Sequence, residues 1–163
     1  MGEGVGGEAY FSYFRPHKKN NHPMEALSHL SSNHFPLFSL LVTLFIGVLY
    51  IQSGADKVMD MEGNLGWLRQ HFGKSIFKNM VPPMFYTIVL LELASAILCV
   101  AGVGQMLLNG STRLAFYGAV ASAANLICLF TGQRFAKDYA GAAALVPYFI
   151  LSIIAMAICG LGV

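Results

Sequence analysis

Glu92 stands nine residues beyond Pro83, inside an apolar run that continues to about Val103. At 1.5 Å per helical residue it lies about 13 Å along that run, close to the middle of a bilayer. An ionised acid at such depth costs roughly 2.5–3.5 kcal/mol on insertion scales, so its side chain should turn inward and find polar partners. Two chemistries are open to it. A protonated acid can bridge two helices, or the carboxyl can handle a proton or a ligand, which makes Glu92 the candidate catalytic residue. Tyr148, Asn125 and Gln52 come nearest to it in depth and are the expected partners.

Further polar residues collect where the apolar runs end on one shared face. Gln52, Asp56 and Lys57 stand at the end of the first run, and Gln133, Arg134, Asp138 and Tyr139 surround the short third connection. With Asn125 and Tyr148 lying deeper, they outline a polar funnel leading toward Glu92, a candidate binding region. Arg134 and Asp138 are spaced to pair at i,i+4 if the helix continues through both. Asn125 and Arg134 are nine positions apart, about 180° around a helix, so both cannot point inward. Gly118, Ser122, Asn125 and Gly132 form a small-or-polar stripe of the kind that lets membrane helices approach closely.

Several chemistries are excluded by residue type. Cys99, Cys128 and Cys159 stand singly in apolar stretches, with no Cys-x-x-Cys to make a zinc ribbon or a dithiol centre. No histidine lies inside an apolar run, which removes a bis-histidine haem held between helices. His29 and His34 lack acidic or cysteine companions, so no metal site is expected. Neither a phosphate-binding glycine loop nor a nucleophile elbow occurs. A net charge of +2 in 163 residues gives no basis for nucleic-acid binding.

The elements that must position these residues are apolar. The chain is 56% hydrophobic and 11% charged, with a mean hydropathy of +0.60, whereas soluble domains carry about 25% charged residues. Four runs approach the ~20 residues that cross a bilayer. Helices are predicted over 36–55, 83–104, 112–132 and 140–161, the first after Ser31-Ser32-Asn33 as capping residues and the second opening on Pro82-Pro83. Ser53-Gly54-Ala55 looks like a signal-peptide cleavage site, but the preceding run is too long for an h-region and is expected to remain as a span.

Between the first two spans, Leu65, Leu68, Phe72 and Ile76 share a helical face away from Arg69, Gln70, Lys74 and Lys78. Trp67 lies beside them, and the segment Met61–Met80 reads as an amphipathic helix in the membrane interface. The expected architecture is all-α: a polar tail over 1–34, then a four-helix transmembrane domain over 35–163 with this interfacial helix between spans 1 and 2.

Three motifs, in order along the spans, resemble the DoxX family. Ser53-Gly54-Ala55-Asp56-Lys57 resembles its small-Gly-x-x-Lys signature, and Leu91-Glu92-Leu93 with Gly102 ten residues on resembles its second-helix glutamate motif. The segment Gly132-Gln133-Arg134-Phe135-Ala136-Lys137-Asp138-Tyr139-Ala140-Gly141-Ala142 resembles the third connection in a bacterial branch. The likeness covers about Phe35 to Gly162 and leaves the tail outside. It implies a four-helix membrane protein in which Lys57 and Glu92 match the family's polar pair. It further implies an accessory or structural subunit of a larger membrane complex. The alternative it carries is a membrane subunit of a quinone-associated oxidoreductase, with proton handling at Glu92 and quinone as the cofactor. The expected partners are lipid and other membrane subunits, and the expected place is a bacterial inner membrane. The termini are expected on the cytoplasmic side, because a basic tail with Arg15, Lys18 and Lys19 would otherwise have to cross.

Overall fold

In a computed structural model of the chain, the backbone is described for residues 22–161 and side chains for 36–161. The chain separates into two units, Met1–Asn33 and His34–Val163, and the site lies wholly in the second. The tail residues Arg15, Lys18, Lys19, His29 and His34 lie outside the described side chains.

Five helices follow one another: α1 (His22–Met59), α2 (Met61–His71), α3 (Val81–Asn109), α4 (Arg113–Phe135) and α5 (Tyr139–Leu161). Four of them have apolar stretches of spanning length: Pro36–Met59, Val81–Asn109, Arg113–Phe135 and Tyr139–Leu161. The spans outrun the predicted ends by up to five residues. Pro36 lies inside α1 rather than at its start, so Ser31, Ser32 and Asn33 do not cap it.

Local chemistry explains the breaks. Asp60 ends α1 and starts α2, its carboxylate accepting the Gly63 N–H at 3.0 Å. α2 stops at His71, short of the predicted Met80. The N–H of Gly73 turns back to Gln70 at 3.2 Å, and a series of turns leads to the proline pair that opens α3. Gly110 closes α3 in the left-handed conformation (φ 73°), with its N–H on the Met106 carbonyl.

The spans pack through small residues. A Cβ on Gly102 would come within 2.6 Å of the Ala115 nitrogen, and one on Gly118 within 2.7 Å of Cys99 Sγ, so α3 and α4 touch nearly backbone to backbone. Gly47 faces the Cys99 side chain and Gly54 the side chains of Leu93 and Glu92, which packs α1 on α3 through side chains rather than backbone. All four spans contribute to one buried cluster: Val42, Ile46 and Tyr50 from α1, Ala96 and Cys99 from α3, Ala119 from α4 and Ala155 from α5. The large apolar side chains instead face outward, among them Phe38, Phe45, Leu90, Ile97, Ile150 and Ile154. Water would not tolerate so wide an apolar belt, whereas lipid does. The chain is a multi-pass integral membrane protein.

α2 is amphipathic as read, but Ile76 falls beyond it. Phe72 is buried against Gly132 of α4, Leu65 and Leu68 are half-buried, and Ile76 is exposed in the turns that follow. The face is therefore cut short where Gly73 ends the helix.

Candidate functional site

The site begins with spacing. Tyr50, Ser53 and Lys57 follow one another at three and four residues on α1, so they share a face. Glu92 and Ser95 do the same on α3, and Ser122 and Asn125 on α4. The contacts of Gly54 with Glu92 and of Gly118 with Cys99 fix the axial register. They bring these pairs to one level near the middle of the bundle.

At that level Glu92 accepts two hydrogen bonds on the same oxygen. Ser53 Oγ donates to Oε1 at 3.0 Å, and Lys57 Nζ donates to it at 3.0 Å. The ammonium also donates to Ser53 Oγ at 2.9 Å. The triangle is closed, and it is buried on the carboxylate side: the Glu92 side chain is 2% exposed and that of Lys57 22%. Charge-assisted bonds are stronger than neutral ones, but burying both charges costs several kcal/mol per ion. Full satisfaction would offset that cost. Here it is incomplete, because Glu92 Oε2 has no hydrogen-bond partner in the protein.

The same holds for its neighbours. Ser95 Oγ and both amide atoms of Asn125 are buried without partners, although Asn125 and Ser95 are 0% exposed. Beside them runs a chain of satisfied hydroxyls. Tyr50 donates to the Ser122 carbonyl at 3.1 Å, and its hydroxyl accepts from Ser122 Oγ at 3.1 Å. Ser122 and Ser152 Oγ are 2.7 Å apart, and Ser152 Oγ lies 3.0 Å from the Tyr148 carbonyl, so its one proton is shared between these two acceptors. The Asn125 amide stands beside the Tyr50 hydroxyl without reaching hydrogen-bond geometry, so it belongs to the same polar layer.

The funnel drawn from sequence divides. Lys57, Glu92 and Asn125 belong to this layer. Gln52 and Tyr148 are not partners of Glu92: both side chains are on the outer surface, and Tyr148 gives the layer only its carbonyl. Depth alone had favoured them, but on a helix the face decides. Asp56 is also exposed, and its carbonyl accepts from Asn64 and from the Asp60 N–H.

Gln133, Arg134 and Asp138 form a separate cluster at the interface. Asp138 accepts the Gly141 N–H at 2.8 Å and so caps α5. Arg134 does not pair with it. α4 ends at Phe135, Lys137 takes a positive φ of 60°, and the i,i+4 geometry is lost. The Arg134 guanidinium lies 4.7 Å from the Tyr139 ring centre instead. Sequence reasoning passed over His71, the one histidine among residues with described side chains. Its Nε2 is 3.0 Å from Gln133 Oε1 and 3.8 Å from Asp138 Oδ2, and its ring stacks on Trp67 at 4.7 Å. The i,i+4 spacing of Trp67 and His71 was the available signal.

A quinone ring requires a slot of its own size with a polar handle. The cavity under α2, lined by Phe72, Met84, Phe85, Leu129 and Gln133, holds only about 40 Å³. The wider groove between α1 and α3, lined by Ile51, Ala55, Leu93 and Ile97, is open and apolar, and would take an acyl chain. The arrangement holds a carboxyl in mid-membrane with Lys57 and Ser53 hydrogen-bonded to one of its oxygens. Searches against models of known protein families, curated proteins and solved structures give no match to this chain.

Proposed function

We propose that the protein is a DoxX-like accessory subunit of a larger membrane complex, one that handles a proton at Glu92 on behalf of partner subunits. The carrying observation is the Lys57–Glu92 pair, buried with one carboxylate oxygen doubly bonded and the other left without a partner. A purely structural bridge is most stable with every lone pair satisfied. A group that exchanges protons needs a free oxygen. In a quinone-associated complex this chain would supply the protonatable site.

Purification from the native membrane in gentle detergent, with mass spectrometry of copurifying proteins and extracted quinones, identifies the complex and its reaction. In that complex Glu92→Gln should abolish turnover while assembly and thermal stability survive. Retained turnover, with a stability loss of about 1 kcal/mol for one altered hydrogen bond, would leave Glu92 a structural bridge.

A further inference from the structure

Four polar atoms without hydrogen-bond partners in the protein belong to three side chains at one level: Glu92 Oε2, Ser95 Oγ, and Asn125 Oδ1 and Nδ2. Each residue is at most 1% exposed. Leaving a buried donor or acceptor unmade costs about 1–3 kcal/mol, and more for a charged group. Four such atoms close together are too costly to be incidental. The chemistry of the set identifies what satisfies them. A carboxylate oxygen accepts, a hydroxyl does either, and an amide offers one acceptor and one NH₂ donor. A bound cation would leave the Asn125 NH₂ unmatched and meet the Lys57 ammonium already on Glu92. Water matches every atom, since a buried water takes two to four polar partners of both kinds.

The layer has a floor. Directly beyond it along the bundle axis lie Ile46, Cys99, Ala119 and Ala155, one from each span and none more than 1% exposed. The Gly118–Cys99 contact closes this plane tightly. Only past it do polar groups return, where Thr43 meets Cys159 at 3.7 Å and Thr112 donates to the Cys159 carbonyl at 2.6 Å. On the opposite side the layer leads to Lys57, which is partly exposed near the end of α1.

We infer that Glu92, Ser95 and Asn125 bind internal water, and that this water joins Lys57 to the Tyr50–Ser122–Ser152 hydroxyls as a half-channel closed by the Ile46–Cys99–Ala119–Ala155 plane. A proton can enter from the α2 end and reach mid-bilayer without leaking across. This deepens the proton-handling reading of Glu92 and rests on it for its purpose, but the test of the water does not depend on turnover.

X-ray hydroxyl-radical footprinting of the detergent-solubilised protein generates radicals from water in place and oxidises the side chains touching it. Tyr50, 2% exposed, should be oxidised readily. Cys159, 0% exposed and beyond the plane, should be protected although thiols react faster. Ser95→Ala and Asn125→Leu should each slow Tyr50 oxidation several-fold, and the milder Ser95→Ala keeps the comparison available if Asn125→Leu misfolds. A wild-type Tyr50 as protected as Cys159 overturns the water site, and so do Tyr50 rates unchanged in a folded variant. Oxidation of Cys159 at a rate near that of Tyr50 overturns the one-sided closure. A hydrated layer in a complex that turns over with Glu92→Gln would defeat the proposed function and leave the water in place.

Discussion

Lys57 reverses the usual habit of lysines near the end of a membrane helix, whose ammonium groups normally snorkel toward water. Its flexible four-carbon stem carries the charge inward to Glu92. The acid was legible because a carboxyl deep in an apolar run must be buried and partnered. Its true partners were not legible from depth, since Lys57 begins about a turn nearer the surface and its reach makes up the difference. Ser53 was visible only as part of a motif, yet it bonds to both charges. The pairing predicts an asymmetric double-mutant cycle. Lys57→Met strands a buried carboxylate and should cost about 3–5 kcal/mol. Glu92→Gln leaves an ammonium that can withdraw toward solvent, so it should cost less, and the double variant should recover much of the Lys57→Met loss. Denaturation in mixed micelles measures all three. Additive losses would mean that the two groups do not interact.

At the level of elements, the four spans follow from length and hydropathy, which is why their existence was plain and their ends were not. Ends depend on single residues: Gly73 stops α2, and Lys137 at positive φ breaks the turn that would have paired Arg134 with Asp138. The polar layer was written in the chain as repeated short spacings, Tyr50/Ser53, Glu92/Ser95 and Ser122/Asn125, but only the contacts between helices reveal that they are level. Close approach of α3 to α4 makes its own prediction. Gly102→Ala places a methyl against the Ala115 backbone, which cannot retreat without separating the helices, and should destabilise by about 1–3 kcal/mol. Gly104→Ala, two residues on, meets nothing within 4 Å and should be neutral or gain up to about 1 kcal/mol from helix propensity. Thermal unfolding in detergent compares them. Equal effects would remove the glycine contact as the reason for the packing.

For the whole molecule, the even number of spans puts Pro36 and Leu161 at one end of the bundle and α2, the turns after it and the α4–α5 connection at the other. Charge is unequal between the ends: among residues with described side chains, Lys57, Arg69, Lys74, Lys78, Arg134 and Lys137 belong to the α2 end, and Arg113 alone to the other. That imbalance would favour a cytoplasmic α2 end by the positive-inside rule. The basic tail carries the opposite preference, and translocating Arg15, Lys18 and Lys19 together is the costlier step. We propose that the termini are cytoplasmic and the half-channel mouth external, an orientation in which protons would reach Glu92 from the external solution. An amine reagent that cannot cross membranes decides the matter, because Lys74 and Lys78 are exposed in the turns after α2. Both should be modified in sealed, right-side-out membrane vesicles at the rate seen in detergent. Labelling that appears only after the membrane is permeabilised would reverse the orientation, and with it the side from which Glu92 draws its proton.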